Sequence, residues 1–301
     1  MRLSAEQLAA RRGGMGSTDV VEALGLAPWE GSGPMRVYAE KRGLLAPEDD
    51  AEDERAQALE WGHIQEPVIA RWYMQKTGLE LFPCGTTWST EPGEEWLFCT
   101  HDYAIHGGGV RKGVEIKHRN SFMSFREGWD DSDPNGIPDS VRAQVTLQMR
   151  ICRYDEVDIC ASLGGQPPRV WTIAYDRALS DSLVADGGAF WRDRILAGVA
   201  PPVDGTSASR AYLLATYPHE TDPILVDADE SMNEIAHRRI QAATTCVSSE
   251  VEKRRSDDEL LALIATHSGA RGRVRGAGWQ LTWKTDKNGR RTPRFTVKAE
   301  Q

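Results

Sequence analysis

The chain has 301 residues, 40% of them hydrophobic and 27% charged, enough to bury a full core in one main domain plus an appendage. Its formal charge of −9 argues against a protein that coats nucleic acid indiscriminately, and its five cysteines (Cys84, Cys99, Cys152, Cys160 and Cys246) are odd in number. They show no Cys-x-x-Cys spacing, which argues against a disulfide framework, a zinc site or an iron–sulfur cluster, and they read as reduced, mostly buried thiols.

No apolar run approaches the roughly 18 residues needed to span a bilayer, and residues 1–6 lack the charged-then-apolar order of a signal peptide, so the expected location is the cytoplasm. Charge is unevenly spread. Residues 48–54 hold six acids in seven positions, which reads as a solvated loop, whereas residues 271–301 hold nine Lys or Arg against Asp286 and Glu300. That basic tail reads either as a solvated edge hairpin or as a contact for a phosphate backbone.

Taken in chain order, residues 4–12 suggest a short helix running into the glycine turn Gly13-Gly14. Ser17-Thr18-Asp19 then supply capping residues for a second helix that should end at Pro28-Trp29. The amides at its start offer a place for an anionic phosphate. Residues 35–42 read as a third helix closed by Gly43. A long helix is expected over 54–77, stopped by Gly78, with Leu59, Gly62, Glu66, Ile69 and Tyr73 on one stripe and Trp61, Ile64, Val68 and Trp72 on a second apolar one. Glu66 thus lies on an inward-leaning face, where a carboxylate needs a cation or several donors.

Residues 86–89, 96–100, 102–106 and 110–119 alternate as strands, separated by Glu91-Pro92-Gly93 and Gly107-Gly108-Gly109, and predict an antiparallel meander. A loop over 130–138, a helix over 139–152, paired strands over 156–163 and 169–175, and a helix over 179–196 follow. Pro201-Pro202 mark a boundary, which divides the chain into residues 1–200 and 201–301. Beyond it come a helical region over 227–267, with Met232, Ala236, Ile240, Ala243, Val247 and Val251 on one stripe, and a hairpin over 278–298 turning at 286–289. The order is α/β in class.

Within Gly113-Val114-Glu115-Ile116-Lys117-His118, a strand sets Glu115 and Lys117 side by side and points Val114 and Ile116 into a core. An acid two residues before a lysine, with Asp102 upstream, is the minimum kit for holding a divalent cation and placing a water against a phosphodiester. The tripeptide by itself is a weak motif. Of eight lysines only Lys117 has an acid two positions earlier, and chance predicts roughly one such pair. A solvent-exposed ion pair is the plain alternative for Glu115 and Lys117, a turn or cap for Asp102, and a helix cap for Ser17.

Set in order, the marks are Arg11-Arg12 with Gly16-Ser17, Gly62 with Glu66, Asp102, Glu115-x-Lys117, and the run from Gln144 to Met149. Together they resemble the phage recombination exonucleases of the YqaJ type, relatives of lambda exonuclease within the PD-(D/E)xK nuclease superfamily. The likeness covers residues 8–176 by motif. The later helix and the Thr282-Trp283-Lys284 hairpin look like that family's tail. Two departures stand out. The family often has Ser-Pro-Asp-Gly around the first metal acid, where this chain has Thr100-His101-Asp102-Tyr103, and a second glutamine two positions after the first, where it has Thr146.

The resemblance implies a restriction-endonuclease-like core, a mixed central sheet flanked by helices, with a helical C-terminal extension and terminal β-hairpin. It implies one or two Mg²⁺ or Mn²⁺ ions held by Asp102, Glu115 and the main-chain carbonyl of Ile116, with Glu66 ligating directly or through water. By the same likeness Lys117 orients the attacking water, Gln144 fixes the water or the lysine, and Ser17 with Arg12, or else Arg11, grips a terminal 5′-phosphate. The implied activity is 5′-to-3′ degradation of one strand of linear double-stranded DNA, leaving a 3′ overhang for a single-strand annealing protein, by a homotrimer that encloses DNA. An endonuclease of the same superfamily and a non-catalytic DNA-binding module on a nuclease scaffold are the alternatives.

Overall fold

Val114 and Ile116 bury one face of an eight-residue strand, and the layers built around that strand make up the first of two compact units, Met1–Ala200 and Pro201–Gln301. The computed structural model describes residues 10–29, 31–45, 54–106, 111–219, 225–244, 250–268, 272–277, 279–285, 287, 289 and 291–297. The start of the first expected helix, the acidic run up to residue 53, the triple-glycine turn, Cys246, Val247 and part of the terminal hairpin's turn lie outside the described residues.

In the first unit the strands are β1 (Met15–Gly16), β2 (Phe82–Pro83), β3 (Thr86–Trp88), β4 (Leu97–Thr100), β5 (Tyr103–Ile105), β6 (Lys112–Arg119), β7 (Glu156–Leu163) and β8 (Arg169–Ala174). The helices are α1 (Ser17–Ala23), α2 (Pro34–Lys41), α3 (Glu54–Thr77), α4 (Ser121–Glu127), α5 (Asp139–Cys152) and α6 (Arg177–Phe190), the last running into a wider π-type turn, Trp191–Leu196. A five-stranded sheet has the order β2-β5-β6-β7-β8. It is mixed, because β6 and β7 run parallel while their other neighbours run antiparallel. A parallel pair needs a crossover, and α4 and α5 supply it.

Alternation along the strands selects the two layers. Val157, Ile159 and Ala161 of β7 pack with Val141, Val145 and Met149 of α5 on one face, while Val114, Ile116 and Cys160 pack with Ile69, Ala70 and Tyr73 of α3 on the other. A hydrogen bond of 2.5 Å from the Tyr73 hydroxyl to Asp158 Oδ2 pins α3 to β7. Gly78, at φ +73°, ends α3 where a side chain would be strained.

Several expectations are corrected. The antiparallel meander is broken at His101-Asp102, because β4 leaves β5 and joins a separate sheet of order β1-β4-β3. Leu97, Phe98 and Cys99 are fully buried in β4, which packs on α1 and α5, and that burial draws the strand away. Of the second apolar stripe of α3, Trp61 and Ile64 at 52% and Val68 at 60% are exposed, and Trp72 alone packs on the core beside Ile69, Ala70 and Tyr73, the face that α3 offers the sheet. Helix α1 stops at Ala23, well before Pro28, since Gly25 at φ +71° turns the chain out of the helix. Helix α4 was not anticipated; Asn120 caps it by accepting the Met123 amide at 2.8 Å.

The second unit contains α7 (Ser207–Thr216), α8 (Glu230–Thr244), α9 (Glu250–Ser268) and the strands β9 (Leu225–Asp227), β10 (Arg273–Gly276), β11 (Trp279–Thr285) and β12 (Arg291–Val297) in the order β12-β11-β10-β9. The hairpin expected near the end is β11 paired with β12. The single helical region expected over 227–267 is two helices, because Met232, Ile235 and Ala236 of α8 share one core with Leu260, Leu261 and Ile264 of α9, and one straight rod cannot bring those stripes together. Trp279 and Trp283 complete that core, whereas Val251, expected on the buried stripe, is 60% exposed.

Candidate active site

Strands β5 and β6 pair only as far as Tyr103 opposite Val114, so the sheet forks just beyond, with Asp102 on one prong and Glu115 on the other. The fork frees the Ile116 amide from the ladder, and it donates instead to Asp102 Oδ2 at 2.7 Å. Burial, followed by the negative charge of Glu115, pushes the Asp102 carboxyl well above the usual carboxylate range, with Lys117 offsetting part of the effect.

Glu115 is only 3% exposed, and both its oxygens are engaged. Oε1 accepts from Lys117 Nζ at 2.6 Å and from Gln144 Nε2 at 2.8 Å, while Oε2 accepts from Gln148 Nε2 at 2.9 Å. Lys117 Nζ also donates to Gln144 Oε1 at 3.1 Å, so the Gln144 amide closes a ring with the acid and the amine. Gln148 was missed as a site residue. Its signal is the spacing of four from Gln144, which places both amides on one helix face, whereas Thr146, at the position where the resemblance leads one to look for a second glutamine, is turned into the core and buried.

Glu66 approaches the fork from α3. It bonds to the Tyr103 hydroxyl, which is pushed up to about 12 by burial first and by Glu66 next, and its charge also acts on Asp102. His63 Nδ1 lies 3.9 Å from Glu66 Oε2. Three carboxylates against the single ammonium of Lys117 leave a net charge of −2 when all are ionised, and every carboxylate donor is a hard oxygen. The chemistry of this set fits a divalent cation of the Mg²⁺ or Mn²⁺ kind.

The proposed phosphate grip lies around α1. Ser17 is the first residue of that helix and 3% exposed. The Gly16 amide donates to Asp19 Oδ2 at 2.6 Å, and Lys41 Nζ reaches the same oxygen at 2.6 Å, so an acid of the chain itself occupies part of the helix start. Arg12 is exposed, and the Arg11 guanidinium sits 5.6 Å over the Phe98 ring, against which Gly16 is packed. Helix α1 packs on α5, the helix that carries Gln144 and Gln148. His106 stacks edge-on with Phe82 at 4.8 Å, and burial pulls the His118 imidazole below its usual range, with Arg119 adding to the effect.

Residues 6–155 match the family model of the YqaJ-like viral recombinase domain. The chain carries a domain of that family. The uncharacterized protein YqaJ of Bacillus subtilis (strain 168) is 26% identical over 215 residues, which is 70% of this chain and 63% of that protein; the chain thus spans less than two thirds of that curated relative. Among solved structures, LHK-Exo in complex with dAMP aligns at a TM-score of 0.50 and 18% identity, covering 65% of this chain and 94% of that one. The alkaline exonuclease LHK-Exo from Laribacter hongkongensis aligns at 0.47 and 17%, with the same coverage. The YqaJ-like domain shares with the first of these structures its fold, a mixed sheet flanked by helices, and its matched region contains the fork and both glutamines. No helix among the described residues is long and apolar enough to cross a membrane.

Proposed function

We propose that this protein is a divalent-metal-dependent deoxyribonuclease that degrades one strand of linear double-stranded DNA from a 5′ end, leaving a 3′ overhang for an annealing protein in phage-type recombination. The observation that carries the reading is the buried Glu115 carboxylate, held by Lys117, Gln144 and Gln148 directly across the sheet fork from Asp102. Asp102, Glu115 and the Ile116 carbonyl would hold one or two Mg²⁺ or Mn²⁺ ions, with Glu66 completing the set directly or through water. When bound, such an ion makes a coordinated water acidic enough to supply hydroxide near neutral pH and neutralises charge on the phosphate.

The chain's own groups do the rest. Lys117 Nζ, bonded to both Glu115 and Gln144, cannot swing away, so it can orient the attacking water and offset charge on the phosphate oxygens. Gln144 holds the amine in register through its carbonyl and the carboxylate through its amide. Ser17 and Arg12 would grip the terminal 5′-phosphate, Arg through its planar fork. A homotrimer acting in the bacterial or phage-infected cytoplasm belongs to the same proposal.

Incubating the protein with linear duplex and Mg²⁺ tests it. Strand loss that is abolished in Glu115→Gln and Lys117→Ala is expected, with faster loss from 5′-phosphorylated than from 5′-hydroxyl ends and weakening of that preference in Ser17→Ala and Arg12→Ala. Nicking of closed circular DNA would point instead to an endonuclease. DNA binding without cleavage at any Mg²⁺ or Mn²⁺ concentration would leave only a binding module.

A further inference from the structure

Among the described residues, the group of three His, Cys, Asp or Glu side chains whose ligand atoms all lie within 4.8 Å of one another is not at the sheet fork but beside it: Cys99, His101 and Cys152. Their separations have the shape of a coordination polyhedron. Cys99 Sγ lies 3.5 Å from Cys152 Sγ, and His101 Nδ1 lies 3.5 Å from Cys152 Sγ and 3.9 Å from Cys99 Sγ. A tetrahedral zinc with Zn–S of about 2.3 Å and Zn–N of about 2.0 Å has edges of about 3.8 Å between two sulfurs and about 3.6 Å between sulfur and nitrogen. The three separations match one triangular face of such a tetrahedron, and because Cys152 Sγ also lies 3.9 Å from His101 Nε2, beside the ring, a rotation of the Cys152 side chain completes that face.

Two further features mark a built site. Cys99 is fully buried and His101 is 7% exposed, so neither side chain is spread over a solvated surface. The other ring nitrogen of His101, Nε2, is 2.8 Å from the Tyr154 hydroxyl, which anchors the ring and leaves Nδ1 the nitrogen nearer Cys152 Sγ, as an outer-shell partner does at a metal-bound histidine. Gly113 of β6 makes room for this partner, because a Cβ there would sit 2.7 Å from the Tyr154 ring.

We propose that Cys99, His101 and Cys152 form a three-ligand site, its fourth position left to solvent, for one thiophilic divalent cation, zinc by ligand type, separate from the Mg²⁺ or Mn²⁺ donors at the fork. Binding replaces the two thiol protons, which leave to solvent, and involves no change of oxidation state. The absence of Cys-x-x-Cys spacing does not weigh against it, since the ligands come from β4, the residue after it and the last turn of α5, 53 positions apart at the extremes. Its consequence is mechanical. His101 immediately precedes Asp102, and Cys152 ends the helix that carries Gln144 and Gln148, so the ion ties the Asp102 prong to the helix that holds Glu115.

The test uses the full chain, purified under reducing conditions without chelator. Elemental analysis is expected to give one zinc per chain, unaffected by excess Mg²⁺ and lost in Cys152→Ser, with Cys160→Ala retaining it as a control. Protein reconstituted with Co²⁺ instead should show a thiolate-to-cobalt charge-transfer band and tetrahedral visible bands, a readout that needs no variant and no nuclease activity. Cobalt taken up without the thiolate band, background zinc in the wild-type chain, or a Cys99–Cys152 disulfide as the resting state under mild reduction would each overturn the site. None of these outcomes depends on whether the chain cleaves DNA.

Discussion

Gln148→Met is the sharpest probe of the fork, because it nearly preserves side-chain volume while removing one donor. Gln148 is 1% exposed, and its amide gives Glu115 Oε2 a hydrogen bond of 2.9 Å, with a longer one of 3.4 Å to the Thr100 carbonyl. A bond to an ionised acceptor is worth about 1.5–3 kcal/mol, and the Oε2 it deserts is buried. Volume is conserved, so little packing strain is added. Glu115 then keeps Lys117 and Gln144 on Oε1 alone and can rotate about that anchor. Outer partners of metal-ligating groups are typically worth about 10–100-fold in affinity or activity, so the Mg²⁺ concentration for half-maximal strand loss should rise and the limiting rate fall by about that factor. A Mg²⁺ titration of the cleavage rate, beside urea denaturation of both proteins, reads both effects. If the variant matches the wild type in rate, Mg²⁺ requirement and stability, Gln148 does not hold Glu115 and the network is incidental.

Tyr73→Phe removes the bond to Asp158, which retains Lys112 at 2.8 Å and Thr172 at 2.6 Å, and should cost about 1–3 kcal/mol by chemical denaturation. Gly113→Ala drives a methyl against the Tyr154 ring, and a loss of about 1–3 kcal/mol is expected, with quicker alkylation of Cys152 as the Tyr154 and His101 pair is displaced. Asp258, 1% exposed and bonded to Arg210 through Oδ1, has its carboxyl raised to about 6 by burial, with Arg210 opposing. Below about pH 4 it is protonated folded or unfolded. As pH rises through 6 the unfolded chain has already lost the proton, so up to about 3 kcal/mol of stability is lost across that window. Thermal unfolding of the full chain should fall more steeply from pH 4 to 7 than that of Asp258→Asn, and parallel profiles would refute this.

Local signals were legible and long-range ones were not. The ends of α3, α5 and β7 could be placed from Gly78, from the proline-rich loop before Asp139 and from apolar periodicity, because each is decided by neighbours within one turn. The contact of Lys117 with Glu115 followed from strand alternation for the same reason. Nothing local announces that β4 and β5, two residues apart, belong to different sheets; that is decided by what buries Leu97, Phe98 and Cys99. The break between α8 and α9 was hidden because their stripes have the same period, and the cysteine and histidine trio was hidden because its members come from separated elements.

Gln144, Gln148 and Cys152 recur every four residues and so share one stripe of α5, beside the Val141, Val145 and Met149 stripe that packs on the sheet. The first two reach Glu115, and the third reaches His101, the neighbour of Asp102. One helix face therefore addresses both prongs of the fork. A rotation of α5 by one residue, about 100°, would withdraw all three contacts together. The apolar stripe sets that rotation, so the packing energy of Val145 and Met149, both essentially buried, is what aligns the polar stripe with the two acids. Substitutions that shrink the apolar stripe should thus loosen Glu115 and the cysteine pair in concert.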